Sequence, residues 1–135
     1  MRILAIDLGD VRTGLAVSDP RGILAGEAWI ITERNQDRLA EQIIAEVTAR
    51  NAGHIVLGYP RNMDGTLGPR AEKSEAFKAK LETLTDIPIT LWDERRTTAE
   101  ADQILINIGK RGKKKKQVLD AVAASLILEG YLRSL

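Results

Sequence analysis

Residues 3–19 read ILAIDLGDVRTGLAVSD, and no other stretch constrains the fold of this chain as strongly. The run Ile3 to Ile6 is apolar at every position. A strand buried on both faces has this pattern, and such strands lie in the middle of a sheet. The run ends in a carboxylate, Asp7, and a glycine, Gly9, before Gly14-Leu15-Ala16-Val17-Ser18 opens a second apolar run. A bare carboxylate is costly to bury without a cationic partner. Asp7 therefore either meets solvent at a strand tip, as a turn carboxylate in the tight Gly9-to-Gly14 connection, or holds a cation there. Taken alone, the residue leaves both readings open.

The rest of the chain alternates. Periodicity and turn residues predict strands over 3–8, 14–19, 27–31, 54–58 and 88–93, and helices over 36–50, 69–84, 98–108 and 117–132. Leu39, Ile43, Ile44 and Val47 fall on one helical face, with Gly53 expected to stop that helix. Pro69 suits the first turn of the second helix, which should bury Phe77, Leu81 and Leu84. Thr97-Thr98-Ala99-Glu100 reads as a capping box, and Gly109 ends the helix it opens. Strands followed by strand–helix alternation make an α/β domain. A chain of 135 residues with 44% apolar content is the size of one such domain, 1–135.

Composition narrows the chemistry. Without cysteine, disulfides and thiolate metal sites are excluded, and one histidine makes a zinc cage a poor expectation. Any bound metal should be a hard, oxygen-liganded cation such as Mg²⁺ or Mn²⁺. No run approaches the about 18 apolar residues that span a bilayer, and Met1-Arg2 leads straight into a strand, so the expectation is a cytoplasmic protein with no membrane partner. The net charge of +1 predicts nothing by itself, but Lys110, Arg111, Lys113, Lys114, Lys115 and Lys116 concentrate six cations in seven positions. Such a run grips a polyanion backbone by counterion release, or merely solubilises a loop. We expect 109–116 to be a charged connection loosened by its own repulsion.

Two further acidic positions stand out. Asp93 and Glu94 end the strand that begins at Ile87, and because adjacent residues point to opposite faces only one of them should share a side with Asp7. Arg95 and Arg96 could equally neutralise a solvated strand end. Asp120 shares a helical face with Ala123, Ala124 and Ile127. It could be a first-turn acid favoured by the helix macrodipole. That account leaves its small apolar company unexplained, and the ligand reading is the better one. Carboxylates from three separate segments suit two hard cations about 4 Å apart, the arrangement that activates water in phosphodiester hydrolysis. The loop 59–68, rich in turn formers after a strand's carboxyl end, should border the cleft. The few aromatics read as core, and His54 as an ordinary edge histidine.

Asp7-Leu8-Gly9 with Arg12-Thr13-Gly14 and Ser18-Asp19, Gly58-Tyr59-Pro60 with Met63-Asp64-Gly65 and Gly68, Asp93-Glu94-Arg95 with Thr97-Thr98 and Ala101, and Asp120 with Ala123-Ala124 together resemble the YqgF (RuvX) family. These are the pre-16S rRNA nucleases, also described as Holliday junction resolvase-like proteins. The likeness runs the full length and in order. It implies an RNase H-like fold, a five-stranded mixed sheet flanked by helices, and a metal-dependent endonuclease of ribosome biogenesis that matures the 5′ end of 16S rRNA. It implies Asp7, Glu94 and Asp120 as the catalytic, metal-binding acids, with Asp93 as the substitute for Glu94. Arg12 and Arg95 become candidates for the scissile phosphate, and Lys110, Arg111 and Lys113 to Lys116 for the nucleic-acid backbone. Candidate partners are structured RNA, branched DNA and ribosomal particles, bound by a monomer or homodimer. The departures, Tyr59 and Arg96-Thr97, remove no proposed ligand. A junction-specific resolvase acting on four-way DNA would need the same site, usually on two subunits, and two other rivals stay in view. One is a non-catalytic RNA binder in ribosome assembly. The other is an ATPase, since Asp-x-Gly before a glycine-bounded turn also resembles the phosphate loop of actin-like ATPases, although 135 residues supply only one of their two lobes.

Overall fold

A computed structural model describes residues 1–60, 68–93 and 112–135, with side chains of the last stretch from Asp120 onward. Five strands form one sheet in the order β3-β2-β1-β4-β5. They are β1 (Arg2–Asp7), β2 (Arg12–Ser18), β3 (Ala25–Thr32), β4 (Ala52–Tyr59) and β5 (Ile89–Asp93). β1 pairs antiparallel with β2 and parallel with β4, so the fully apolar strand is the central one, as its pattern demands. β2 pairs antiparallel with β3, and β4 pairs parallel with β5, giving a mixed sheet. The helices among the described residues are α1 (Gln36–Ala49), α2 (Pro69–Glu82) and α3 (Gly112–Ser134). The helix expected over 98–108 lies outside the described residues.

The two faces of the sheet are packed differently. Leu4, Ile6, Leu15 and Val17 point toward α1 and α2, where Leu39, Ile43, Val47, Phe77 and Leu81 complete a core of large side chains. Ile3, Ala5, Ala16 and Val56 point the other way, toward Ala124, Ile127 and Leu128 of α3. Alternation along one strand divides them: even positions of β1 face α1 and α2, odd positions face α3.

Local signals explain most boundaries. The Asn35 side chain accepts a 3.0 Å bond from the Arg38 amide and caps α1. That helix ends at Ala49, and the left-handed residue beyond it is Asn51, at φ 54°, rather than the expected Gly53. Asparagine tolerates this conformation. Gly53 instead lies in β4, where a Cβ would fall 2.5 Å from the Met1 side chain. Leu84, expected in the core, is 45% exposed because α2 stops at Glu82 and the helical spacing lapses. The largest departure is at α3. Residues 112–116, read as part of a charged connection, already belong to the helix. Lysine is a good helix former, and repulsion of a few tenths of a kcal/mol per like-charged pair does not outweigh the packing of the helix on the sheet.

Candidate functional site

Asp7 is the last residue of β1 and pairs in register with Gly14 of β2. Its odd position places it on the same face as Ile3 and Ala5, the face covered by α3. Gly14 has no side chain because α3 leaves no room for one. A Cβ there would stand 2.0 Å from the Asp120 carbonyl oxygen and 3.3 Å from the Ala124 methyl. The helix backbone thus passes directly over the strand pair that carries Asp7, and it does so at Asp120. Ala124 is fully buried at this crossing and Ile127 nearly so. Small residues set the distance, and the distance brings the two acids to one end of one face.

The depth of Asp120 in its helix also settles one of the readings above. With α3 starting at Gly112, Asp120 lies more than two turns from the amino end. Macrodipole effects fade within the first turn, so they do not account for a carboxylate here. Its partner is Arg12, whose Nε donates to Asp120 Oδ2 at 3.0 Å. The pair is partly open to solvent.

Asp93 ends β5 opposite Tyr59 of β4. Alternation puts it with Ile89 and Leu91, which pack into the α1/α2 core, whereas Trp92 packs on the α3 side. Asp93 is therefore on the face opposite Asp7. Glu94, Arg95, Lys110 and Arg111 lie outside the described residues, and Lys113 to Lys116 occupy the opening turns of α3. Among the described residues, no group of three or more acids or histidines stands together as a metal cage. Asp7 and Asp120, carried to the same end of the sheet by the Gly14 crossing, offer hard oxygen donors. The single histidine is engaged elsewhere: His54 Nε2 lies 2.8 Å from Thr90 Oγ1 and 3.3 Å from the Tyr131 hydroxyl. Its ring stacks on Tyr131 at 5.6 Å, and burial lowers its pKa. It sits in β4, inside the sheet between β1 and β5, so the expectation of an edge histidine is corrected. A donor set of carboxylates without thiol or free imidazole fits a hard cation and no softer one.

Other motif residues are structural. Ser18 Oγ accepts the Ile3 amide at 2.9 Å. Asp19 accepts the amides of Ile23 and Leu24, which hold its pKa down to about 2 and fix the β2–β3 turn. Gly9 lets the β1–β2 turn close, since a Cβ would sit 1.9 Å from the Arg12 carbonyl oxygen.

A cleft of about 560 Å³ opens beside Asp7. Its floor includes Leu8, Pro60 and Phe77, and its rim carries Arg34, Arg70, Lys73 and Lys80. Pro60, at the start of the 59–68 segment, lines this cleft; 61–67 are outside the described residues. These four cations are additional to the candidate residues of the sequence. The signal was present on α2, where Arg70, Lys73, Phe77 and Lys80 fall at helical spacing, but the approach of Arg34 from the start of α1 is tertiary.

A five-stranded mixed sheet in this order, with helices on both faces and acids at the carboxyl edge of the central strand, is the RNase H-like fold of the resolvase nucleases. Thermus thermophilus RuvC, solved in complex with a Holliday junction, superposes with a TM-score of 0.65 over 99% of this chain and 96% of that one, at 12% identity. The chain belongs to the RuvX family: the family model described as "RuvX: Holliday junction resolvase" matches residues 1–134. A "Putative pre-16S rRNA nuclease" of Lachnospira eligens is 46% identical over 140 residues, covering 99% of this chain and 98% of the relative. A Bacillus subtilis protein of the same description is 43% identical over 137 residues, covering 100% and 99%.

Proposed function

We propose that this protein is a metal-dependent endonuclease, a hydrolase of phosphodiester bonds, that processes the 5′ end of pre-16S rRNA in the cytoplasm. The observation that carries the reading is the Gly14 crossing, where α3 presents Asp120, deep in a helix and unexplained by its dipole, beside the Asp7 strand end. The strong similarity to relatives described as pre-16S rRNA nucleases supports the substrate.

Asp7 and Asp120 would hold Mg²⁺ or Mn²⁺, with Glu94 as the third acid. Alternation supports Glu94 over Asp93, because Asp93 shares a face with Leu91 and not with Asp7. The bound cation supplies an acidified water and charge to stabilise the leaving oxygen. Arg12 has two roles. Without substrate it neutralises Asp120 at 3.0 Å. With substrate, its planar fork suits a phosphate equally well, and it can exchange one anion for the other without moving far. The lysines at the start of α3 and Arg95 are the candidates to hold the nucleic-acid backbone.

Asp7→Asn, assayed on a pre-16S rRNA substrate with Mn²⁺, should lose cleavage while keeping the fold. Cleavage at the parent's rate would end the assignment of Asp7. A second reading, resolution of four-way DNA, is favoured by the superposition on a junction-bound resolvase. It requires two subunits on a two-fold substrate, so sedimentation of a monomer that stays monomeric on four-way DNA counts against it.

A further inference from the structure

The cleft on the α1/α2 side shares Asp7 with the acid crossing but extends away from it. Asp7 lines it, but its floor belongs to the other face of the sheet, where Leu8 and Phe77 pack with the large-residue core. Asp120 and Arg12 do not line it. Four cations surround it against two carboxylates, Asp7 and Asp10, although the whole chain is nearly neutral. Arg34 and Arg70 are exposed and have no ion pair among the described residues. Lys73 is tied to Asp10 at 2.8 Å and Lys80 to Asp37 at 2.6 Å, both in exposed pairs. Such pairs contribute little and give way to a stronger anion. The Lys73 hydrogen bond and charge hold the Asp10 pKa down, and Arg70 adds to the same field.

From this arrangement the geometry points to a phosphate-binding groove that holds the single-stranded continuation of the nucleic-acid substrate. The inference rests on the nuclease reading above. A strand crossing the carboxyl edge of the sheet would leave one phosphate at Asp7 and Asp120, and its next phosphates would descend on the opposite face toward Arg34, Arg70, Lys73 and Lys80. At about 560 Å³ the cleft is of small-ligand size, which suits the nucleotide units of one strand. The grip is on phosphate and not on bases: the ring in the floor, Phe77, is 1% exposed and cannot act as a stacking platform. Binding here should therefore be indifferent to sequence and steeply dependent on salt.

The test is fluorescence anisotropy with a labelled RNA hairpin, either blunt or with a short single-stranded extension, in EDTA so that no cleavage intervenes. The parent protein should bind the extended hairpin more tightly. The double variant Arg34→Gln/Arg70→Gln should lose about tenfold on the extended hairpin and little on the blunt one. Its log–log salt slope should be shallower by about 1.4, the counterion release of two single-strand phosphates. AMP and ATP at millimolar concentration should fail to displace the RNA. The proposal is overturned if the extension adds no affinity in the parent, or if the variant weakens both hairpins alike. Displacement by AMP or ATP also overturns it, and would make the groove a free-nucleotide site. Circular dichroism of the variant verifies its fold. Because binding is read without metal, loss of the nuclease reading through Asp7→Asn would leave this result standing on its own.

Discussion

The two faces of the sheet solve different problems. Toward α1 and α2, large side chains such as Leu4, Ile6, Leu15, Phe77 and Leu81 fill the space and hold the helices away from the strands. Toward α3, Ala5, Gly14, Ala16 and Ala124 allow the helix backbone itself to touch the sheet. Burial of large apolar groups is what stabilises a domain of this size, and the first face supplies most of it. The second face forgoes that volume for proximity. Its reward is positional: a carboxylate carried on a helix ends up beside one carried on the central strand.

The contrast can be broken most severely from the large-residue side. Phe77→Ala should cost about 3–5 kcal/mol by cavity formation, read by urea unfolding. The surviving folded fraction should still cleave, because no acid has moved. Gly14→Ala attacks the other side. Overpacking should cost about 1–3 kcal/mol, less than Phe77→Ala, yet cleavage should fall by about 100-fold, since displacements near 1 Å at a reacting centre carry penalties of that order. Equal loss of stability and activity in the two variants would dissolve the distinction between the faces. Arg12→Ala is smaller again. Its partly exposed pair with Asp120 should contribute under about 1 kcal/mol to unfolding, while cleavage should suffer if Arg12 holds the scissile phosphate as proposed.

The smallest effect is a pH dependence on the α3 face. Burial lowers the pKa of His54 from its ordinary value of 6.5, so the unfolded chain takes up a proton that the folded chain resists. Stability from this residue should be constant above about pH 6.5 and decline as pH falls below it. His54→Gln should flatten that part of the profile in thermal melts from pH 5 to 8. Persistence of the slope in the variant would place its origin elsewhere.

Asp7 was legible as a special residue because a two-faced apolar strand rarely ends in a bare acid, and the strand is indeed central. Asp120 was legible through its small neighbours, Ala123 and Ala124. Its depth in the helix was not, because clustered lysines suggested repulsion and a loop, and helix propensity with packing prevailed. Alternation alone could not say which of Asp93 and Glu94 faces Asp7; the β4–β5 register puts Asp93 on the side of Leu91, and Glu94 lies outside the described residues. The crossing at Gly14 was hidden for a different reason. A glycine that yields to a helix 106 positions downstream reads in sequence as one more turn residue. The cationic groove was half visible, in the spacing along α2, and half a product of where α1 begins.

The central claim is that Asp7 and Asp120 jointly hold the cation that hydrolysis requires. Crystals grown with Mn²⁺ and measured for anomalous scattering test it directly. The account predicts a peak within coordination distance of both carboxylates on the α3 face, completed by Glu94 and with Arg12 turned away from Asp120. A peak bound by Asp93, or no manganese between Asp7 and Asp120 at a concentration that supports cleavage, would contradict it.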